Sequence, residues 1–394
     1  MKKKLPFFIA LGVLVSGCAG RMPPLSEPLV VAPYPEWQMT DFKQLSRRII
    51  ATDRYTELQK YLAQVIARNA DLKSLSATAK AASYNRKIAR AEMGPSADLN
   101  LSGTRSKDAF KETGNTASVG IDVVWAVDVW GKLSDDAEAA RHLANSSHYS
   151  LQQLNRMLII QASRSWVTYR GYVHAEKYLN QLNMIETDLV NYYQDAYQAG
   201  LIPFSYYQGA FQVGLVPYEF LLDAKNSQKR SQSRLQEMRL KKLKTLQLMN
   251  ILRGHLPSDE LVIGDDGIPA NLVRSTESIP ATVLVNRPDI QAAFSELHAF
   301  RRSESAAYKA LLPQINLTAS ASTTGSTLKK ALSGDLVWQL IGGLTQPLFN
   351  SGQLRAIAEQ KTAEAEASWW QYQSLVLKAM LEVENAMSSD KLLA

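Results

Sequence analysis

Few residues in this chain are of a type and spacing that could carry chemistry. There is one thiol, Cys18, and the five histidines (His142, His148, His174, His255 and His298) show no His-x-x-x-His or His-Glu-x-x-His spacing. Neither a disulfide scaffold nor a metal centre is therefore expected. Carboxylates such as Glu382 and Glu384 fall on helical patterns, where solvating a helix face is role enough. No nucleophile–base pair, phosphate cradle or ligand set can be assembled, so no catalytic residue, metal or cofactor is expected and an enzyme is the weakest class.

Composition narrows the classes further. The 394 residues are 46% hydrophobic and 21% charged, with seven Trp, which excludes wholesale disorder. Of the formal charge of +7, three units are Lys2, Lys3 and Lys4. The remainder is too small to argue for nucleic acid. Beyond the first seventeen residues no apolar run approaches the ~20 residues of a spanning helix, so a helical transporter is excluded. Residues 1–17 read as a signal peptide: a basic start, an apolar run from Leu5 to Val15, then small residues. Val15-Ser16-Gly17 before Cys18 resembles a bacterial lipobox, which implies cleavage between Gly17 and Cys18 and acylation of Cys18. The alternative is an ordinary secretory signal with an incidental Cys. Each buried acyl methylene contributes about 0.8 kcal/mol of anchoring. Ala19, a non-acidic residue after the Cys, is compatible with transfer to the outer membrane. Residues 18–50, with a proline-rich stretch from Arg21 to Pro35, read as an extended tether.

From Thr52 the pattern turns helical. Leu58, Leu62, Val65, Asn69, Leu72, Ser76 and Ala79 form a heptad seam with one polar member, ending at Met93-Gly94-Pro95. Two alternating runs follow, Asp98 to Ser102 and Ser118 to Val123, reading as a β-hairpin over 98–125. Long helices are expected over 131–252, with a small-residue seam of Leu133, Ala137, Ala140, Ala144, Ser147, Leu151 and Leu154. An inter-repeat segment covers 261–286. The pattern then recurs, with a second hairpin over 314–345 and a helix over 351–394. Pro313 takes the place of Pro95 before the first strand of its hairpin, and Gly352 the place of Gly131 after the second. The chain thus reads as repeat one at 51–260 and an incomplete repeat two at 287–394.

The strands carry one apolar side (Leu99, Leu101; Val119, Ile121, Val123; Ile315, Leu317) and one small or polar side. About ten residues per strand suits a tilted membrane strand, and Trp125 and Trp338 stand where an interfacial girdle would. Open edges cannot face lipid, so four strands must close with strands from other copies. The alternative is a small soluble sheet packed on the helices. Asp122, on the polar side, reads as a solvated strand residue, or else as a carboxylate biasing a pore toward cations.

With these residues in view, the chain resembles the TolC-like outer membrane factors, in their lipidated, NodT-type efflux branch. Trp125-Ala-Val-Asp-Val-Trp-Gly-Lys132, Phe211-Gln-Val-Gly-Leu215, Arg287-Pro-Asp-Ile-Gln-Ala-Ala293, Leu312-Pro313, Thr345-Gln-Pro-Leu-Phe349 and Leu381-Glu-Val-Glu-Asn-Ala386 carry the resemblance, in family order over residues 50–394. It implies an α+β membrane protein with long antiparallel helical hairpins and four strands per chain. A homotrimer would close these into a twelve-stranded outer-membrane barrel continued by a periplasmic helical tunnel. It also implies a passive exit duct for small molecules in a tripartite efflux system, with a periplasmic adaptor and an inner-membrane pump as partners. Phe211, Gly214 and Leu215 would mark the periplasmic tip. There are three departures from the family. Ala126 replaces a usual acidic residue. Tyr197 to Pro203 is echoed fourteen residues later by Phe211 to Pro217. Repeat one runs on from Gly131 to Gly254, whereas the stretch from Gly352 to Ala394 is only about a third as long. That points to a C-terminally truncated form, or else a complete chain with a shortened second unit. Alternative functions are a non-functional remnant and a lipid-anchored coiled coil without a pore.

Overall fold

The computed structural model describes residues 56–107, 113–199, 218–261, 264 and 282–393. In chain order these form α1 (Thr56–Arg68), α2 (Ala70–Ala91), β1 (Ser96–Lys107), β2 (Thr113–Val127), α3 (Lys132–Gln198) and α4 (Tyr218–Leu252). There follow α5 (Thr282–Val285), α6 (Pro288–Lys309), β3 (Gln314–Gly325), α7 (Leu328–Leu332), β4 (Val337–Thr345) and α8 (Gln353–Leu393). The four strands make one antiparallel sheet in the order β1-β2-β3-β4. Each strand adjoins a long helix, and the helices keep the same sideways order: α2 packs on α3, α3 on α6 and α6 on α8. At 1.5 Å per residue the 67 residues of α3 reach about 100 Å. Among the described residues no helix is long and apolar enough to cross a membrane.

The internal repeat is kept to the residue. α2 and α6 are both 22 residues long, and the step from Ala70 to Pro288 equals that from Ser96 to Gln314. The register agrees as well. Ser96 faces Val124 in the first hairpin and Gln314 faces Thr345 in the second. The outgoing strands are therefore displaced by the same step that separates Gly131 from Gly352. Both of these glycines have positive φ (75° and 82°), where only glycine turns the chain from strand to helix without steric cost.

One element differs from the sequence reading. The seam from Leu58 to Ala79 does not run along a single helix, because the chain breaks at Asn69, which takes an extended backbone (φ −56°, ψ 128°) and caps α2. Its Oδ1 accepts from the Leu72 amide at 3.0 Å, and its Nδ2 donates to the Leu252 carbonyl at 3.0 Å. A buried Asn with both ends satisfied suits a helix start better than a helix interior. Next to it Gly254 (φ 73°) lies so close that a Cβ would stand 2.6 Å from the Arg68 carbonyl oxygen. Around this joint Tyr61, Val65, Leu158, Ala162, Trp166, Met249 and Leu252 form the main core.

On α3 the small-residue seam is only half-buried at Ala137 and Ala144. The positions buried there are Asp135 and Ala139. The helix has neighbours on two sides, so one seam cannot describe it.

Candidate channel wall and its junction with the helices

The strand registers align the apolar residues into rows across the sheet. From the helical end they are Val127–Ile315–Leu344, Trp125–Leu317–Gly342, Ala97–Val123–Ala319–Leu340, Leu99–Ile121–Ala321–Trp338 and Leu101–Val119–Thr323. Beyond them the same face turns polar, with Arg105 and Lys107 opposite Asn115 and Thr113. From Val127 to Val119 the band takes about 26 Å of strand at ~3.3 Å per residue, or roughly 20 Å of height at a tilt near 40°. That approaches the ~25 Å apolar band of outer-membrane barrels. Leu99 is 73% exposed and Trp338 74%, so the band is not covered by the described residues. Trp125 and Trp338 each lie one row in from an end of the band. Trp125 also donates from Nε1 to the Met93 carbonyl at 2.9 Å, fixing the ring to the α2–β1 junction.

The opposite face is polar on β1 and β3, holding Ser96, Asp98, Asn100 and Ser102 and Asn316, Thr318, Ser320 and Ser322, with Val124 of β2 and Val337 and Ile341 of β4 as its apolar members. Asp122 has Asp98 directly across from it on β1, with Ser320 and Gln339 completing the row. Asn100 Nδ2 donates to Asp122 Oδ2 at 2.5 Å. Two like charges opposed in one row work against the pairing of the strands. The sequence reading singled out Asp122 and missed Asp98, because register between strands is not visible from alternation alone.

Below the sheet the two repeats are locked together by a group that sequence reasoning also missed. Asp135, in the first turn of α3, is buried, and it accepts from Lys309 Nζ at 2.5 Å, Ser305 Oγ at 2.5 Å and Arg302 Nη1 at 3.0 Å, all on α6. Burial alone would raise its pKa, but the hydrogen bonds from Lys309, Ser305 and Arg302 outweigh it and hold the carboxyl below its ordinary value. Asp128 caps the same helix from outside. Its oxygens accept from the Leu133 amide at 2.9 Å and the Ser134 amide at 2.8 Å. Burial opposes ionisation there too, and the Ser134 contacts more than offset it. The signal available in the sequence was an acid in the first turn of one helix and Lys309 in the last turn of another, each favourable to its own helix dipole.

Two of the motifs that carried the resemblance meet in space. Arg287 pairs with Asp289 at 2.7 Å and with Glu382 at 2.8 Å, tying the start of α6 to the distal part of α8 beside Leu284, Ile290, Val376, Ala379 and Val383. Two turns along α3 from Asp135, His142 stacks on His298 with ring centres 5.2 Å apart, and Phe294 meets His298 edge-on. Gly17, Cys18, Phe211, Gly214 and Leu215 lie outside the described residues. No cluster suited to a metal ion occurs among the described residues.

A four-stranded sheet with one apolar face, each strand adjoining a long helix, defines a subunit of an outer-membrane channel. The chain belongs to the outer membrane efflux protein family, which it matches over residues 61–251 and 279–393. Among its relatives, the cation efflux system protein CusC of Escherichia coli strain K12 is 23% identical over 98% of this chain and 83% of its own length. Nodulation protein T of Rhizobium leguminosarum bv. trifolii is 26% identical over 84% of this chain and 69% of its own. The CmeC outer membrane channel of Campylobacter jejuni shares the fold with a TM-score of 0.73 at 20% identity, covering 84% of this chain and 70% of that one. The outer-membrane channel OprN does so with a TM-score of 0.73 at 20% identity, over 92% and 78%. The protein is thus an outer-membrane efflux channel component.

Proposed function

We propose that three copies of this chain close a twelve-stranded barrel and act as a passive exit duct, with the helices forming its periplasmic tunnel. The observation that carries this reading is the sheet itself: a five-row apolar band on one face, a more polar opposite face, and two edge strands, β1 and β4, whose outer edges have no strand partner among the described residues. Unpaired edges are not tolerated in lipid, and the helices repeat the strand order, so closing the sheet also closes a tunnel. Trp125 and Trp338 would form the two aromatic girdles. In this reading Cys18 carries the acyl anchor, and the segment around Phe211, Gly214 and Leu215 meets a periplasmic adaptor and an inner-membrane pump. Small toxic molecules are the cargo; CusC bears the name of a cation efflux protein and its likeness leaves metal ions among the candidates.

The test is the intact mass of the protein extracted from outer membranes in mild detergent, followed by planar-bilayer recording. A trimer that gives single-channel steps is expected. A monomer without steps would instead support a lipid-anchored protein with no pore.

A further inference from the structure

The close repeat allows the contact between copies to be read from a contact inside one copy. Along the ring of helices the order is α2, α3, α6, α8, and α2 is the repeat equivalent of α6 as α3 is of α8. A neighbouring copy placed at the β1 edge therefore sets its α8 against α2 in the way α3 is set against α6. This step rests on the oligomeric reading given above. The strand register supports it. In the β2–β3 pair Val123–Ala319, the repeat equivalent of Val123 is Leu344 and that of Ala319 is Leu101, so Leu344 of the neighbouring copy comes opposite Leu101. The apolar faces of both edges then stay on one side, where a one-residue slip would have inverted them.

The same equivalence maps the α3–α6 seam onto the free helix faces. Asp135, Ala139 and His142 become Ala356, Gln360 and Ala363. Lys309, Ser305, Arg302 and His298 become Ala91, Lys87, Tyr84 and Lys80. All seven replacements are exposed in the single chain. On α8 the exposed face continues in heptad steps through Ala367, Trp370, Ser374, Leu377 and Leu381, a pattern made for another helix. The buried Asp135–Lys309 pair of the internal seam is thus replaced by Ala356 and Ala91 in the outer one, and the cations left there, Lys80 and Lys87, are exposed.

Charges stand on this seam and beside it. Lys80 and Lys87 line a groove with Arg86 and Arg90 on α2 and with Ala144, Asn145 and His148 on α3 of the same copy, and neither lysine has a carboxylate partner among the described residues. Lys87 Nζ stands 5.1 Å from the ring centre of Tyr84, the equivalent of Arg302, so a cation occupies the same zone in both seams. On α8, Glu359 follows Ala356 by three residues and Glu366 follows Ala363 by three, which puts each on the same side of the helix as its alanine. Both are exposed and unpaired among the described residues. Glu138, the equivalent of Glu359, is held below its ordinary carboxyl value chiefly by Arg141 on its own helix, with Arg302 across the internal seam adding a smaller pull in the same direction.

We infer that Glu359 and Glu366 of one copy pair with Lys87 and Lys80 of the next, across a seam that repeats the α3–α6 contact with Ala356 and Ala91 in place of the buried Asp135 and Lys309. Such an edge leaves a single copy with no orphaned buried ion on these two helix faces. The charge pairs then set the helix register on contact.

The experiment is charge reversal on the full chain in detergent, read as trimer fraction against protein concentration, with circular dichroism to confirm unchanged helix content. Glu359→Lys with Glu366→Lys is expected to raise the concentration at half-assembly by at least about tenfold, since like charges across an interface cost more than one tenfold step. Adding Lys87→Glu and Lys80→Glu is expected to restore assembly to within about threefold, a residual of less than about 1 kcal/mol. Independently, Ala91→Cys combined with Ala356→Cys should be joined between copies by a short bismaleimide into a covalent trimer, while neither single variant is. A wild-type trimer indifferent to reversal, or not rescued by the fourfold exchange, would overturn the pairing and leave the channel reading intact. A wild type that stays monomeric would overturn both.

Discussion

The two repeat units share the step between their equivalent helices and strands and differ in what surrounds them. α6 and β3 are flanked on both sides within the chain, whereas α2, β1, β4 and α8 stand at its edges. The side chains follow that difference. Where the contact is permanent, the seam buries Asp135 with Lys309, Arg302 and Ser305. In the contact proposed between copies, alanines stand for Asp135 and Lys309, Tyr84 and Lys87 stand for Arg302 and Ser305, and exposed glutamates lie beside them. A buried charge is tolerable only if its partners are present at all times, so the location of a seam in the ring decides its chemistry. The helix caps show the same division. Asn69 caps α2 through its own side chain and reaches Leu252, while its equivalent Arg287 makes no cap hydrogen bond and instead pairs with Asp289 and Glu382.

The comparison can be broken most forcefully at Asp135. Asp135→Ala leaves Lys309 and Arg302 without their carboxylate and is expected to cost about 3–5 kcal/mol of stability, read from urea unfolding of the purified protein. The reciprocal Ala356→Asp should leave folding of the single copy within ~1 kcal/mol, the range of surface substitutions, and lower only the trimer fraction. Because the Asp135 carboxyl titrates below its ordinary value, its contribution is fully present above the unfolded pKa of about 3.9 and is lost as pH falls through the folded value. Acid melts of Asp135→Asn should therefore lose part of the wild type's steepening below about pH 4.

Next in size are the hinge glycines. Gly131→Ala and Gly352→Ala both force a positive φ on a residue with a Cβ, which costs about 1–2 kcal/mol. A Cβ at Gly131 would stand 3.3 Å from Lys309 Nζ, and one at Gly352 meets nothing. Thermal melts should accordingly show the larger loss at Gly131, and equal losses would remove the distinction between the two hinges. Asn69→Ala is expected to cost about 1–2 kcal/mol through the lost cap and the unsatisfied Leu252 carbonyl. Arg287→Ala removes a part-exposed ion-pair network and should cost about 1 kcal/mol or less.

The smallest effect concerns pH. Burial lowers the pKa of His298, helped by Arg302 and Arg141, and burial and Arg141 likewise lower that of His142, with Glu138 opposing. A depressed histidine pKa means that the fold favours the neutral ring, so stability is full above about pH 6.5 and declines as pH falls toward the folded values. His298→Phe keeps a ring in place and should flatten the melting temperature between about pH 5 and 7. An unchanged slope would place the sensitivity elsewhere.

Much of this was legible in the residues. Alternation in Leu99–Leu101 and Val119–Val123 marked strands because side chains in a strand point to opposite faces in turn. Glycine and proline at Gly94-Pro95, Gly131 and Gly352 mark the joints, and the matching places of Pro95 and Pro313 mark the repeat. The apolar band followed from these local rules, and so did the need for partner strands. Asn69 was visible as a polar member of a seam but not as a break, since a heptad pattern continues unchanged across a cap.

What only the tertiary structure decided is which residues of separate elements stand opposite one another. Asp98 against Asp122, Asp135 against Lys309, His142 against His298 and Arg287 against Glu382 each join two such elements. Local propensity and periodicity act over a few turns of chain, and they fix what each segment becomes. Register between segments is set by packing and by the burial of charge, and these exist only once the segments have met.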